Sequence, residues 1–138
     1  MIILDTDVVS GLMKPVPDLP LGEWMNRQPS ESIWTTAITI FEIRFGIELL
    51  PAGRRKDQLE IAFVRSLKAD LQEHIVDFDR DAAHEAAAMA ARRQAIGRPI
   101  EFRDIEIAGI VASRRATLAT RNMRHFKGLR IELVNPWE

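Results

Sequence analysis

The chain contains no cysteine. That excludes disulfides, zinc-thiolate centres and thiol nucleophiles, so any metal must be held by oxygen or imidazole. Imidazole is itself scarce: His74, His84 and His125 are scattered without ligand spacing, which argues against a histidine metal site. Long apolar runs are also missing. The longest stretch without a charged residue, Ser32 to Phe41, is ten residues, about half of what a membrane-spanning helix needs. No signal-peptide pattern follows Met1, so the cytoplasm is the expected location. With 19 Lys+Arg against 20 Asp+Glu, a net charge of -1 excludes a polycation but leaves room for local patches. Internal repeats and low-complexity segments are absent. What is present is 138 residues, 46% of them hydrophobic, enough for one globular domain, residues 1–138, with an ordinary core.

The pattern of elements is alternating. Met1-Ile2-Ile3-Leu4 reads as a buried strand, and Asp5-Thr6-Asp7 as a turn opening a helix through Val8, Val9 and Leu12. Lys14-Pro15-Val16-Pro17 breaks that helix, and Leu21, Trp24 and Met25 recur at helical spacing. Ser32-Ile33-Trp34-Thr35 has strand bias; Ala37 to Leu50 repeats apolar residues every three or four positions and stops at Pro51-Ala52-Gly53. A helix with Leu59, Ala62, Phe63, Leu67 and Leu71 on one face follows, then a strand at Ile75-Val76-Asp77-Phe78. Asp79 caps an alanine-rich helix from Arg80 to Ile96, closed by Gly97 and Pro99. Asp104 is expected to start the next helix, before strands at 117–120 and 131–134 joined by a polar loop with one helical turn. Such alternation implies βαβ units, a parallel sheet covered on both faces, and ligand chemistry at the carboxyl ends of the strands. Asp5, after the first strand, and Asn122, beyond the fourth, should therefore converge on one edge.

Four acids draw attention. Asp7 and Asp104 have a plain explanation as helix N-caps, worth roughly 0.5 to 2 kcal/mol each, and Glu42 could point to solvent from beside its apolar stripe. Asp5 is harder to explain away. A carboxylate directly after a continuous apolar strand is carried to the rim of the core, where burial without a partner costs several kcal/mol. A divalent cation held by carboxylate oxygens would compensate, and magnesium accepts an oxygen-only site.

Five segments then carry a resemblance: Leu4-Asp5-Thr6-Asp7-Val8-Val9-Ser10, Thr39-Ile40-Phe41-Glu42-Ile43-Arg44-Phe45-Gly46, Asp104-Ile105-Glu106-Ile107-Ala108, Ala119-Thr120-Arg121-Asn122 with Phe126, and Val134-Asn135-Pro136-Trp137. In order and spacing they resemble the successive motifs of PIN-domain ribonucleases, more closely the VapC-type toxins and the similar FitB proteins. The resemblance implies a three-layer α/β/α sandwich with a central, mainly parallel sheet. It also implies a Mg2+- or Mn2+-dependent endoribonuclease, the toxin of a type II toxin-antitoxin pair, homodimeric and silenced by a small VapB-like antitoxin. Position by position, Asp5, Glu42 and Asp104 match the family's acidic metal-binding residues, and Thr6 and Thr120 its small polar residues. Asp7 stands where the family commonly has Asn. Asn122 stands where it often has an acid, or else has one three residues later, where this chain carries His125.

Between Ile107 and Ile131 there is no acidic residue, but there are Arg114, Arg115, Arg121, Arg124, Lys127 and Arg130. A solvated helix end would explain them; their position around Asn122 favours a phosphate-backbone grip, with Arg114, Arg115, Arg121 and Arg124 as RNA-binding candidates. Arg54, Arg55 and Lys56 read as a solvated loop, and the three tryptophans as core or interface anchors. An antitoxin segment is expected over apolar surface near Trp24 and Phe45, inserting a basic side chain among the acids. Two other functions compete. Asp5-Thr6-Asp7-Val8-Val9 also fits the start of a haloacid dehalogenase-like phosphatase, which requires a later acidic pair after a strand. A PIN-like fold with a degraded acidic site, acting only as an RNA- or antitoxin-binding module, is the non-enzymatic reading.

Overall fold

The computed structural model describes residues 1–138. Strand β1 (Ile2–Leu4) leads into helices α1 (Thr6–Leu12) and α2 (Leu19–Arg27), and strand β2 (Ile33–Thr36) into α3 (Ala37–Glu48) and α4 (Arg54–Arg65). Strand β3 (Ile75–Val76) is followed by α5 (Arg80–Ala95) and α6 (Phe102–Arg114), then β4 (Thr117–Ala119), the single turn α7 (Met123–Phe126) and β5 (Glu132–Val134). All four strand pairings are parallel, in the order β3-β2-β1-β4-β5. The chain winds outward from β1 in one direction and then, from β4, in the other. The switch point therefore lies between β1 and β4, where a parallel sheet opens a crevice at its carboxyl edge.

Side chains alternate across that sheet. Leu4 and Ala119, adjacent in register, face a core built with Val8, Leu12, Leu21, Trp24, Ile43 and Phe63; Ile3 and Leu118 face a second core with Met89, Ile107, Ile110 and Phe126. Helices α1 to α4 cover the first face and α5 and α6 the second, giving the three layers. The second face is drawn tight by small residues. A Cβ on Gly109 of α6 would stand 2.5 Å from the Ala82 carbonyl oxygen and 2.7 Å from Ala86 Cβ on α5, so the alanine-rich sequence of α5 and this glycine let two helices approach closely.

Several element boundaries depart from the sequence reading: Arg54, Arg55 and Lys56, expected in a loop, form the first turn of α4, most other ends shift by a residue or two, and two differences matter for function. β3 ends at Val76 rather than at Phe78, because only Thr35 and Thr36 of β2 remain to pair with it. Helix α6 begins at Phe102, two residues before Asp104: Glu101 is its N-cap, with Oε2 accepting from Arg103 N at 2.8 Å and Asp104 N at 3.3 Å. Likewise Asp5, not Asp7, caps α1. With both caps filled by other residues, the carboxylates of Asp7 and Asp104 stand in first turns, favoured there by the helix dipole but free of the capping bond. Trp24 is buried in the first core, 6% exposed, and cannot form the outer surface expected around it. Phe45, by contrast, is exposed and stacks in parallel on Phe41 of the same helix, centroids 5.9 Å apart.

Candidate active site

The site starts at the switch point. Asp5 N donates to the Ala119 carbonyl at 2.9 Å, continuing the β1–β4 ladder by one residue, and this brings Asp5 beside Thr120. Thr120 Oγ1 donates to Asp5 Oδ2 at 2.7 Å and accepts from Asn122 N at 3.0 Å; Asp5 Oδ1 accepts from Thr6 N at 2.9 Å. Asp5 is 4% exposed. Burial, then the charge of Asp7, pushes its pKa from 3.8 to about 7, against the opposing hydrogen bonds from Thr120 and Thr6.

Asp7 is half-buried, and burial raises its pKa as well. Its Oδ2 accepts from Arg121 N at 2.9 Å, while Oδ1 is buried with no partner. Glu42 is brought in from α3 by a relay of hydroxyls. Thr36, the N-cap of α3, accepts from Thr39 N; its hydroxyl donates to Thr39 Oγ1 at 3.4 Å, that group lies 3.1 Å from Thr6 Oγ1, and Thr6 Oγ1 donates to Glu42 Oε1 at 3.1 Å. Desolvation again raises the Glu42 pKa. Asp104, on the first turn of α6, meets His125 of α7 through Oδ2 and Nδ1 at 3.2 Å; burial raises its pKa and the His125 contact opposes the rise.

Four carboxylates thus share one edge of the sheet with their pKa values pushed the same way, and Asp5, Asp7 and Glu42 take part in no ion pair. Each is held by a different neighbour, and no three acidic or imidazole groups stand together as a ready-made ligand set. The donor chemistry nevertheless fits a hard divalent cation: the floor is oxygen-only, deeply desolvated at Asp5, and retains an unpartnered buried oxygen on Asp7.

The other sequence candidates divide. Arg121 reaches the site through its backbone, and its guanidinium lies 4.5 Å from the centre of the Trp137 ring, whose indole N–H donates to Asp18. Arg124 lines a cavity of about 290 Å³ with Asp104 and His125. Asn122 contributes its backbone N–H, and its side chain is exposed. Arg114 and Arg115 are not brought to the site. Ten residues along α6 from Asp104, roughly 15 Å at the helical rise, Arg114 pairs with Asp79 at 3.4 Å, and Arg115 ends the helix in a left-handed conformation, φ 51°. Arg55, read as loop, instead lines a groove of about 480 Å³ that contains Thr6 and Glu42. Sequence reasoning also missed Arg103, whose charge opposes the raised pKa of Glu42 and Asp104 while its Nε bonds Glu101 at 3.0 Å. It missed the role of Thr39 too, which the spacing Thr36, Thr39, Glu42 at the start of one helix signals.

An all-parallel α/β/α domain with an acidic floor at the β1–β4 switch point defines a class, and residues 2–130 match the family described as PIN domain. The chain belongs to the PIN-domain family. It is 33% identical to VapC ribonuclease Y4jK of Sinorhizobium fredii over all of this chain and 99% of that protein, and 30% identical to toxin FitB of Neisseria gonorrhoeae over 99% of each. In space it is similar to the structure of FitAB bound to an IR36 DNA fragment, with a TM-score of 0.87 and 30% identity over 100% of this chain and 96% of that one. Family membership removes the phosphatase alternative, and Asp104 and Glu106 lie inside α6 rather than after a strand. No helix is long and apolar enough to cross a membrane.

Proposed function

We propose that this chain, residues 1–138 acting as one domain in the cytoplasm, is the endoribonuclease toxin of a VapBC-type toxin-antitoxin pair, cleaving RNA phosphodiester bonds with Mg2+ or Mn2+. The observation that carries the reading is the buried, unpaired carboxylate of Asp5 beside the orphaned oxygen of Asp7, at the point of the sheet where ligands bind. Asp5 and Asp104 would hold the cation, with Glu42 and the Asn122 side-chain oxygen reaching it directly or through water. A divalent ion there supplies Lewis acidity at the phosphate and lowers the pKa of water. The protein's own groups do the rest. Glu42, its pKa raised and its orientation set by Thr6, is suited to take the proton of the attacking water; Thr120 and the Thr6 amide keep Asp5 in place; Arg121 and Arg124 face the phosphate charge. In-line attack leaves 5′-phosphate and 3′-hydroxyl ends.

The antitoxin reading is supported by exposed apolar side chains spaced four apart, Phe41 and Phe45 on α3 and Leu49 at its C-cap. Contact between two copies over such surface makes a homodimer, the expected resting assembly. Purified antitoxin-free protein should cleave RNA with Mg2+ or Mn2+, stop in excess EDTA, and leave the stated end groups. Cleavage undiminished by EDTA would defeat the mechanism. Absence of cleavage with either metal, alongside retained antitoxin binding, would favour the non-catalytic module, whose support is the neutral Asn122. Co-expression with the product of the adjacent small open reading frame should relieve growth arrest.

A further inference from the structure

A second charged feature begins where the acidic floor ends. Helix α5 closes in Arg92 and Arg93, and Arg93 is clamped: Nε donates to the Arg98 carbonyl at 2.9 Å and an Nη to the Lys127 carbonyl at 3.2 Å. The clamp ties the end of α5 to the loop before α6 and to the loop after α7. No carboxylate neutralises it, and Arg92, Arg124, Lys127 and Arg130 likewise take part in no ion pair. On one side of Arg93 lies the cavity of about 290 Å³ shared with Asp104, Arg124 and His125; on the other lies one of about 230 Å³ lined by Arg92, Ile96, Leu129 and Arg130. Arg93 lines both. The first also contains Glu101, which is paired with Arg103 at 3.0 Å, so beyond Asp104 the charged side chains left unpaired are cationic and the two cavities make one track leading away from it.

Holding a long guanidinium still costs side-chain entropy. The two carbonyl bonds offset that cost, and the guanidinium they fix keeps three unused N–H donors in a set orientation, suited to a phosphate. We propose that this track binds the phosphates of a single-stranded RNA on one side of the scissile bond, so that the substrate is an extended strand rather than a short oligonucleotide. The inference rests on the nuclease reading for its direction, since Asp104 marks where the track starts. Phosphate contacts of this kind set register and leave sequence unread; exposed Ile96 offers an apolar surface for bases.

The test separates binding from cleavage. Anisotropy of a labelled single-stranded RNA is measured in EDTA across a salt series, where each phosphate contact on a single strand contributes about 0.7 to the slope of log affinity against log salt. Arg93→Gln should weaken binding and lower the slope by about 0.7, and the double variant Arg92→Gln with Arg130→Gln by about twice that. Arg93→Lys keeps the charge and loses the fork, and should hold the slope while losing affinity. Exposed Lys68→Gln, before β3, should change nothing. Should Arg93→Gln fail to fold, the double variant, away from the clamp, decides the matter. Affinity and slope unchanged in the folded track variants would overturn the track, whether or not the protein cleaves RNA. A wild type that binds with the expected slopes yet never cleaves with Mg2+ or Mn2+ would uphold the track and defeat the nuclease reading.

Discussion

The two ends of α6 carry opposite treatments of charge. At the amino end Asp104 joins Asp5, Asp7 and Glu42 at the carboxyl edge of the sheet, where burial raises all four pKa values and none of the four pairs with a Lys or Arg: Asp104 contacts the His125 ring, and the neighbouring Arg103 pairs with Glu101 instead. At the carboxyl end Arg114 pairs with Asp79, complementing the helix dipole, and both groups are about two-fifths exposed. One edge neutralises itself and the other does not. Charge that a protein leaves uncompensated at a desolvated edge awaits a ligand, while charge balanced in place serves the fold.

The largest expected effect breaks the acidic edge. Asp5→Asn and Asp104→Asn should each lower the cleavage rate on the order of a thousandfold, about 4 kcal/mol of transition-state stabilisation, with the circular dichroism spectrum unchanged; near-normal turnover by Asp5→Asn would sink the assignment of the floor. Second in size is stability. The folded state holds a proton on Asp5 between pH 3.8 and about 7 that the unfolded state releases, so the stability of protein in EDTA should be greatest at acid pH, fall as pH rises through that interval, and level off above it. The other three raised carboxylates act in the same direction. Asp5→Asn should abolish most of the fall and be the more stable protein at about pH 8, by up to a few kcal/mol, in denaturant titrations at several pH values. A variant less stable than wild type there would mean the buried charge is already compensated.

Smaller effects sharpen the comparison. Asn122→Asp should raise apparent Mg2+ affinity and Asp7→Asn lower it, each by roughly tenfold, the size seen for groups that support a metal site, measured by calorimetric titration; no change in either would place both residues outside the site. Smallest is the balanced edge: Arg114→Gln should cost at most about 0.5 kcal/mol, since an exposed pair is worth little, and should leave the salt slope of RNA binding unmoved. A slope change matching that of Arg93→Gln would erase the distinction between the two ends.

Much of the fold is legible in the sequence alone. The alternation of strand and helix patterns specified a parallel sheet, and an acid placed directly after Ile2-Ile3-Leu4 had to emerge at its carboxyl edge, because a buried strand offers a carboxylate no other exit. The helix-capping roles are not legible there. Glu101 and Asp5 could not be recognised as caps from spacing, because Asp, Glu, Ser and Thr stand at several neighbouring positions and only the backbone decides which donors they meet. Only the structure shows that Asp7 and Asp104 are released from capping and turned to other partners.

The sequence by itself determined the family, the layer order and the identity of the acids, since these follow from local periodicity and from motif residues that keep their order along the chain. Which cations stand beside the site was decided only by the tertiary structure. Arg114 and Arg93 are both helix-end arginines on the chain, yet α6 runs from the carboxyl edge to the amino edge and carries Arg114 away, while α5 returns Arg93 to the loop beside Asp104. A charge near an acid in sequence is near it in space only if the helix between them is short, and 1.5 Å per residue is enough to separate the two ends of a domain.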